Sequence, residues 1–297
     1  ASFPIWEIFL TTRIFIGLAV SGVAAVAMTY IGEEIAQKDI GLAMGLYISG
    51  TAIGGMGGRL IAGVLVDFIS WQSATYIIGF INLIIACLFY LLLPKSQHFQ
   101  PYPFRFSRFK AAFEQNLKDR KLRILFAEGF ILMGCLVTVF NYISYHLLEA
   151  PFQLSQSWIG LISIAYLAGI YSSSKAAQWS FKYGRAKVLP LMLLMMMAGL
   201  LITLIPALWA ILLGLIIFAF AFFAAHSTAS SWVSVQAIQY RAVAASLYLF
   251  CYYIGSSLLG SSGGLIWENF GWIGINLSVV LVLAVGLFLT FYLHDTK

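Results

Sequence analysis

Apolar residues follow one another along this chain in runs far longer than a soluble core helix needs, and turn residues or basic stretches break the runs at intervals. Nine runs stand out, at about 8–30, 41–67, 72–94, 123–148, 157–178, 187–204, 208–235, 241–267 and 272–294. A helix needs about 20 mostly apolar residues to cross a hydrocarbon core, and each run approaches or exceeds that. Barrel strands would instead alternate over about ten residues. With no water in the bilayer core, a continuous apolar run satisfies its backbone only as a helix. The pattern predicts an all-α polytopic membrane protein of nine spans. Tight turns such as Gly271-Trp272 join most of them, and one long polar connection runs from Lys95 to about Leu122.

Composition removes the soluble alternative. Of 297 residues, 61% are hydrophobic and 9% charged, against the roughly 25% charged that soluble domains carry. The net charge of +6 would suit nucleic acid if it covered one face, but the basic residues are sorted by loop. Fifteen of the 17 fall in alternate connections: Lys38, the stretch 95–123, then Lys175, Lys182, Arg185 and Lys187, then Arg241, then Lys297. The intervening connections hold none. Such a bias marks the cytoplasmic side of a membrane. It predicts a C-terminus on the cytoplasmic side, the N-terminus of this chain outside, and no nucleic-acid partner. Cys87, Cys135 and Cys251 all sit inside apolar runs, without disulfide or metal spacing. Nucleophile motifs, phosphate loops and paired metal ligands are likewise missing from the sequence, so neither an enzyme nor a nucleotide-driven pump is expected.

The second run repeats 201 residues later. Leu46 and Tyr47 match Leu247 and Tyr248, Ile53 and Gly54 match Ile254 and Gly255, Gly63 matches Gly264, Trp71 matches Trp272, and Asp67 lands on Glu268. Span 2 therefore corresponds to span 8, and the repeat unit is six spans of one orientation, a known transporter plan. It divides the chain into 1–94, three spans of a first half; 95–122, a basic cytoplasmic linker; and 123–297, a complete six-span half. On this count three spans and roughly 80 residues would precede position 1.

Three motifs resemble those of the major facilitator superfamily, in its drug:proton antiporter or arabinose-efflux branch. Arg13-x3-Gly17 is similar to the family's fourth-span motif, whose arginine is implicated in proton coupling. Gly41, Gly50, Gly54, Gly55, Gly58 and Arg59 resemble the glycine motif of antiporters, with Gly55 in place of its proline and Arg59 in place of its last glycine. Ala177-x3-Phe181-Lys182-x-Gly184-Arg185-x-Lys187 resembles the family's cytoplasmic loop motif, with Ala177 and Phe181 where Gly and Asp are usual. The resemblance covers nearly the whole chain, aligned to family spans four to twelve. It implies efflux driven by the proton gradient, without any other cofactor.

Polar residues inside apolar spans are the candidates for chemistry, because a charge at mid-bilayer costs at least about 2.5–3.5 kcal/mol on insertion scales. Arg13 and Arg59 are permanently charged; Arg13 lies about 8 Å from the outer end of its span and could also snorkel to water. Glu128 lies towards the inner end of span 4, where it either reaches water or takes part in coupling. His226 is either a hydrogen-bonded packing residue or a group that titrates near neutral pH. Arg13, His226 and Glu128 are the proton-coupling candidates; Asn141, Tyr142, Tyr145 and Arg59 are the substrate-cavity candidates. Gly50, Gly54 and Gly58 recur every four residues, a stripe suited to close helix packing or to sliding between helices.

The expected function is proton-coupled movement of a small molecule by alternating access. Its partners would be lipid, substrate and protons, and the chain would act as a monomer. The competing reading is a transport-incompetent membrane fragment with a structural role or none.

Overall fold

The computed structural model describes residues 6–34, 40–97, 106–237 and 240–293. All regular structure among them is helical: α1 (Trp6–Glu34), α2 (Ile40–Phe68), α3 (Trp71–Leu92), α4 (Phe106–Lys118), α5 (Arg120–Leu148), α6 (Gln156–Leu161), α7 (Tyr166–Tyr183), α8 (Arg185–Ile202), α9 (Leu208–Gln236) and α10 (Arg241–Thr290). Short 3-10 turns cover Ile162–Ala165 and Phe291–Leu293. Lys38, Arg105 and Lys297, which belong to the basic pattern, lie outside the described residues.

Among the described residues, five helical stretches are long and apolar enough to cross a membrane: α3, α5, α8, α9, and α10 with its terminal turn. The last, Arg241–Leu293, has 53 residues, more than twice one crossing. It divides at Gly271, whose φ of 56° and ψ of −148° are non-helical. Only glycine adopts that region at little cost, and it gives the tight turn expected between spans eight and nine. The remaining spans read from the sequence coincide with α1, α2 and the α6–α7 segment.

The long basic connection is not featureless. It contains α4, where Phe106, Phe109 and Phe113 recur at helical spacing and Ala112 and Asn116 are buried. Asp119 then caps α5, its Oδ1 accepting from the amides of Lys121 (2.8 Å) and Leu122 (3.1 Å). Its Oδ2 accepts from the Gln236 side-chain amide at the end of α9 (2.9 Å).

The chain forms two compact units. One takes Ala1–Pro103 together with Ser155–Ser163; the other takes Phe104–Leu154 and Ile164–Lys297. The segment around α6 thus belongs with the first unit, a division the sequence does not suggest. Asp67 at the end of α2 holds it there, accepting from the amides of Gln156 (2.9 Å) and Ser157 (2.8 Å). Gly63 and Gly160 let the two helices touch: a β-carbon at Gly160 would lie 3.1 Å from the Arg59 carbonyl oxygen.

In the second unit, α5 makes its most extensive contact with α10. Glycines face across that contact. A β-carbon at Gly129 would meet the Tyr248 ring at 2.9 Å, one at Gly134 the Gly255 carbonyl at 2.8 Å, and one at Gly260 the Val137 side chain at 2.9 Å. Small residues here let backbones approach, and dispersion supplies the attraction that a hydrophobic driving force cannot supply in lipid. α7 joins α9 through a polar seam: Ser172 donates to the Phe220 carbonyl (2.6 Å), Ser227 to the Ser173 carbonyl (3.2 Å), and Ser180 and Thr228 share a 3.3 Å bond.

Candidate functional site

The second unit carries two ionisable candidates, Glu128 and His226, within its helices. Glu128 lies on α5 and is completely buried. Neither carboxyl oxygen meets a hydrogen-bond donor among the described residues. Opposite it stands Gly286 on α10, where a β-carbon would come within 3.2 Å of Oε2. The alternative in which Glu128 reaches water at the span end is therefore not what the structure holds. At helical rise the residue sits about 12 Å inside the start of α5, and Leu125, Phe126 and Ile131 on the same helix are buried too.

His226, on α9, makes a 2.9 Å bond from Nδ1 to the hydroxyl of Tyr248 on α10. Its ring stacks parallel to Phe222, 3° apart in plane, and lies 4.6 Å from the Tyr252 ring centroid. Tyr248 is 2% exposed. Its ring abuts Gly129, the residue after Glu128. The structure thus brings His226 onto Tyr248, whose ring also packs against the residue next to Glu128. The sequence pointed to Glu128 and His226 and missed Tyr248 and Tyr252. The available signal was a pair of tyrosines at i and i+4 within an apolar run, which share a helix face.

The cavity candidates divide. Tyr142 is buried, and its hydroxyl donates to the Gly260 carbonyl (3.1 Å) while its ring stacks on Trp267 at 6.2 Å. It fastens α5 to α10, with its one polar group already engaged. Asn141 and Tyr145 are exposed, and Tyr145 joins the same aromatic group, 5.9 Å from Trp267. These residues lie about 20 Å along α5 from Glu128, so they and Glu128 occupy different levels. A second polar knot, absent from the sequence reading, links Thr203, Trp272 and Asn276. The Trp272 indole donates to the Thr203 carbonyl (3.3 Å), and the Thr203 hydroxyl to Asn276 Oδ1 (3.3 Å).

In the first unit, Arg13 is exposed on α1 and Arg59 half-buried on α2. Gly41 begins α2. Among the described residues, a β-carbon at Gly50, Gly54, Gly55 or Gly58 would meet no atom within 4 Å, and the tight contact on α2 falls at Gly63 instead. At the junction of α7 and α8, Gly184 has φ +86° and turns the chain between the exposed Lys182 and Lys187, with Arg185 half-buried.

The profile of the Major Facilitator Superfamily matches residues 1–260. The inner membrane transport protein YnfM of Escherichia coli (strain K12) is 47% identical over 289 residues, covering 97% of this chain and 69% of that protein. An uncharacterized transporter of Buchnera aphidicola subsp. Schizaphis graminum is 46% identical over 285 residues, 96% of this chain and 69% of its own length. The uncharacterized MFS-type transporter YybF of Bacillus subtilis (strain 168) is 41% identical over 290 residues, 98% of this chain and 72% of its own. Among solved structures, a bacterial homologue of the human lysosomal transporter Spinster, inward-facing and unoccupied, aligns with a TM-score of 0.62 at 14% identity, covering 90% of this chain and 73% of that one. At that identity the likeness speaks for the fold alone. Profile, relatives and all-helical architecture together establish that the chain belongs to the major facilitator superfamily, a family of multi-pass membrane transporters and not of enzymes.

Proposed function

We propose that this transporter couples proton movement to the export of a small molecule across the bacterial cytoplasmic membrane by alternating access, with its basic connections facing the cytoplasm. The observation that carries the reading is Glu128, a fully buried carboxyl that meets no donor among the described residues. An ionised carboxylate stripped of water costs several kcal/mol unless it is paired, and ionisable groups inside spans mark ion pathways and proton relays. Held as the neutral acid, Glu128 is compatible with its apolar walls. Movement of the helices that admits water gives its proton an exit. His226 and Tyr248 supply the adjoining donor–acceptor pair, able to pass or hold a proton as their bond reorganises. Arg13 cannot lose its proton, so its part is electrostatic. Parallel six-span halves with a substrate site between them are the family plan within which alternating access operates.

The competing reading, a transport-incompetent fragment, is not favoured by a chain this similar to transporters along almost its whole length. The deciding experiment uses inside-out vesicles that contain the protein and carry an imposed pH gradient. A panel of sugars, amino acids and cationic drugs is added in turn, and dissipation of the gradient is read by a pH-sensitive dye. The reading expects one class to discharge the gradient in step with its own uptake. Uptake that proceeds equally without a gradient would overturn proton coupling.

A further inference from the structure

The α7–α8–α9 corner of the second unit contains a cavity of about 300 Å³ that the transport reading leaves unused. Trp179 and Tyr183 line it from α7, Lys187, Leu191 and Met192 from α8, and Phe220 from α9. The Trp179 and Phe220 rings stand 5.9 Å apart. Tyr183 and Leu191 are each 53% exposed, so the cavity opens on the outer surface of the bundle. The volume is at the lower edge of small-molecule sites, roughly 300–1,000 Å³. The walls are almost wholly hydrocarbon, unsuited to a polar solute and matched to an alkyl chain.

Its charge is at one end. Lys187 lines the cavity from the first turn of α8, where Arg185 also lies, and Lys182 is on the last turn of α7. The Arg185 Nε–H is buried and meets no acceptor among the described residues. α8 begins there without a side-chain cap, so the helix dipole adds positive potential at the same place. An apolar slot ended by cations is complementary to an amphiphile with an anionic head, and basic pockets between spans bind such lipids.

We propose that this cavity holds part of one acyl chain of an anionic glycerophospholipid, whose phosphodiester is bound by Lys187 and Arg185. The slot fixes the tail while the α8 N-terminus and two cations fix the head. Neutral phospholipid enters the slot without the electrostatic contribution and is held more weakly. The lipid would bind independently of substrate and of Glu128 and His226.

The test is native mass spectrometry of the full chain in detergent, titrated with phosphatidylglycerol or with phosphatidylcholine of the same chains. Phosphatidylglycerol should be retained with the higher affinity. Removing one cation, as Lys187→Ala or Arg185→Ala, should weaken it about fivefold and leave phosphatidylcholine unchanged. Lys187 is exposed, so its replacement does not endanger folding. Leu191→Trp, which fills the slot, should weaken both lipids, and inorganic phosphate should compete poorly. Equal retention of the two lipids by the wild type, or undiminished phosphatidylglycerol binding by Lys187→Ala, would overturn the proposal. Full displacement by phosphate together with an inert Leu191→Trp would leave a headgroup anion site only, and would equally refute the acyl slot.

Discussion

Gly54 and Gly255 occupy equivalent places in the internal repeat, yet the structure assigns them opposite roles. A β-carbon at Gly255 would fall against the backbone of Phe130 on α5, 2.7 Å from its carbonyl carbon and 2.8 Å from its Cα. Ordinary contact begins at 3.4 Å, so α10 must retreat from α5 by at least 0.7 Å, and a helix backbone cannot swing aside as a side chain can. A gap of about 0.5–1 Å forfeits a quarter to a half of each dispersion contact along the interface. Because this is the unit's most extensive helix pair, Gly255→Ala should destabilise by at least the ~1–3 kcal/mol typical of overpacking. Gly54→Ala meets no atom of the described residues within 4 Å, and alanine is the better helix former. It should therefore shift stability by less than about 0.5 kcal/mol. Unfolding free energies from sodium dodecyl sulfate titrations in mixed micelles, followed by circular dichroism, give both numbers. Equal losses for the two variants, or a neutral Gly255→Ala, would refute the packing described for α5 and α10.

Three further outcomes follow from the same structure. In a double-mutant cycle of Tyr248→Phe and His226→Leu, the 2.9 Å bond should register a coupling of about 0.6–1.7 kcal/mol, the range from the mean to the maximum measured between membrane helices; additive effects would remove the pair from the account. Single cysteines at Lys110 and Lys182, in a background lacking the native three, should react only with reagent supplied from the cytoplasm, and those at Gln153 and Asn269 only from outside; labelling of Lys182 and Gln153 from one side would overturn the proposed orientation. Arg13→Ala should abolish gradient-driven transport with substrate binding retained and Arg13→Lys should keep part of it, whereas normal transport by Arg13→Ala would make that arginine an interface residue.

Much of the fold was legible because bilayer crossing imposes long apolar runs, and the helices fall where those runs predict. Glu128 and His226 were legible for the same reason, as polar exceptions in apolar surroundings. The partner of His226 was not. Tyr248 lies 22 residues from His226, and hydropathy says nothing about which faces of neighbouring helices meet. Tyr142 drew attention as a cavity group, yet its hydroxyl is spent on a carbonyl 118 residues away. Asp67 appeared only as a repeat position, while its work is to cap a helix 89 residues on. The α4 helix was hidden because its basic residues dominate a stretch whose phenylalanines keep helical spacing. The glycine motif on α2 was plain in the sequence, but whether a glycine is crowded depends on the partner helix, as Gly54 and Gly255 show.

The central claim is that the Glu128 carboxyl carries the coupling proton, and Glu128→Gln tests it most directly. Glutamine keeps the size and removes the ionisation. In proteoliposomes loaded with the substrate identified from the vesicle panel, the variant should still exchange labelled for unlabelled substrate at a rate near that of the wild type, because exchange requires no net proton transfer. It should fail to accumulate substrate against its gradient when a pH difference is imposed. Accumulation by Glu128→Gln equal to that of the wild type would contradict the account and move the proton elsewhere.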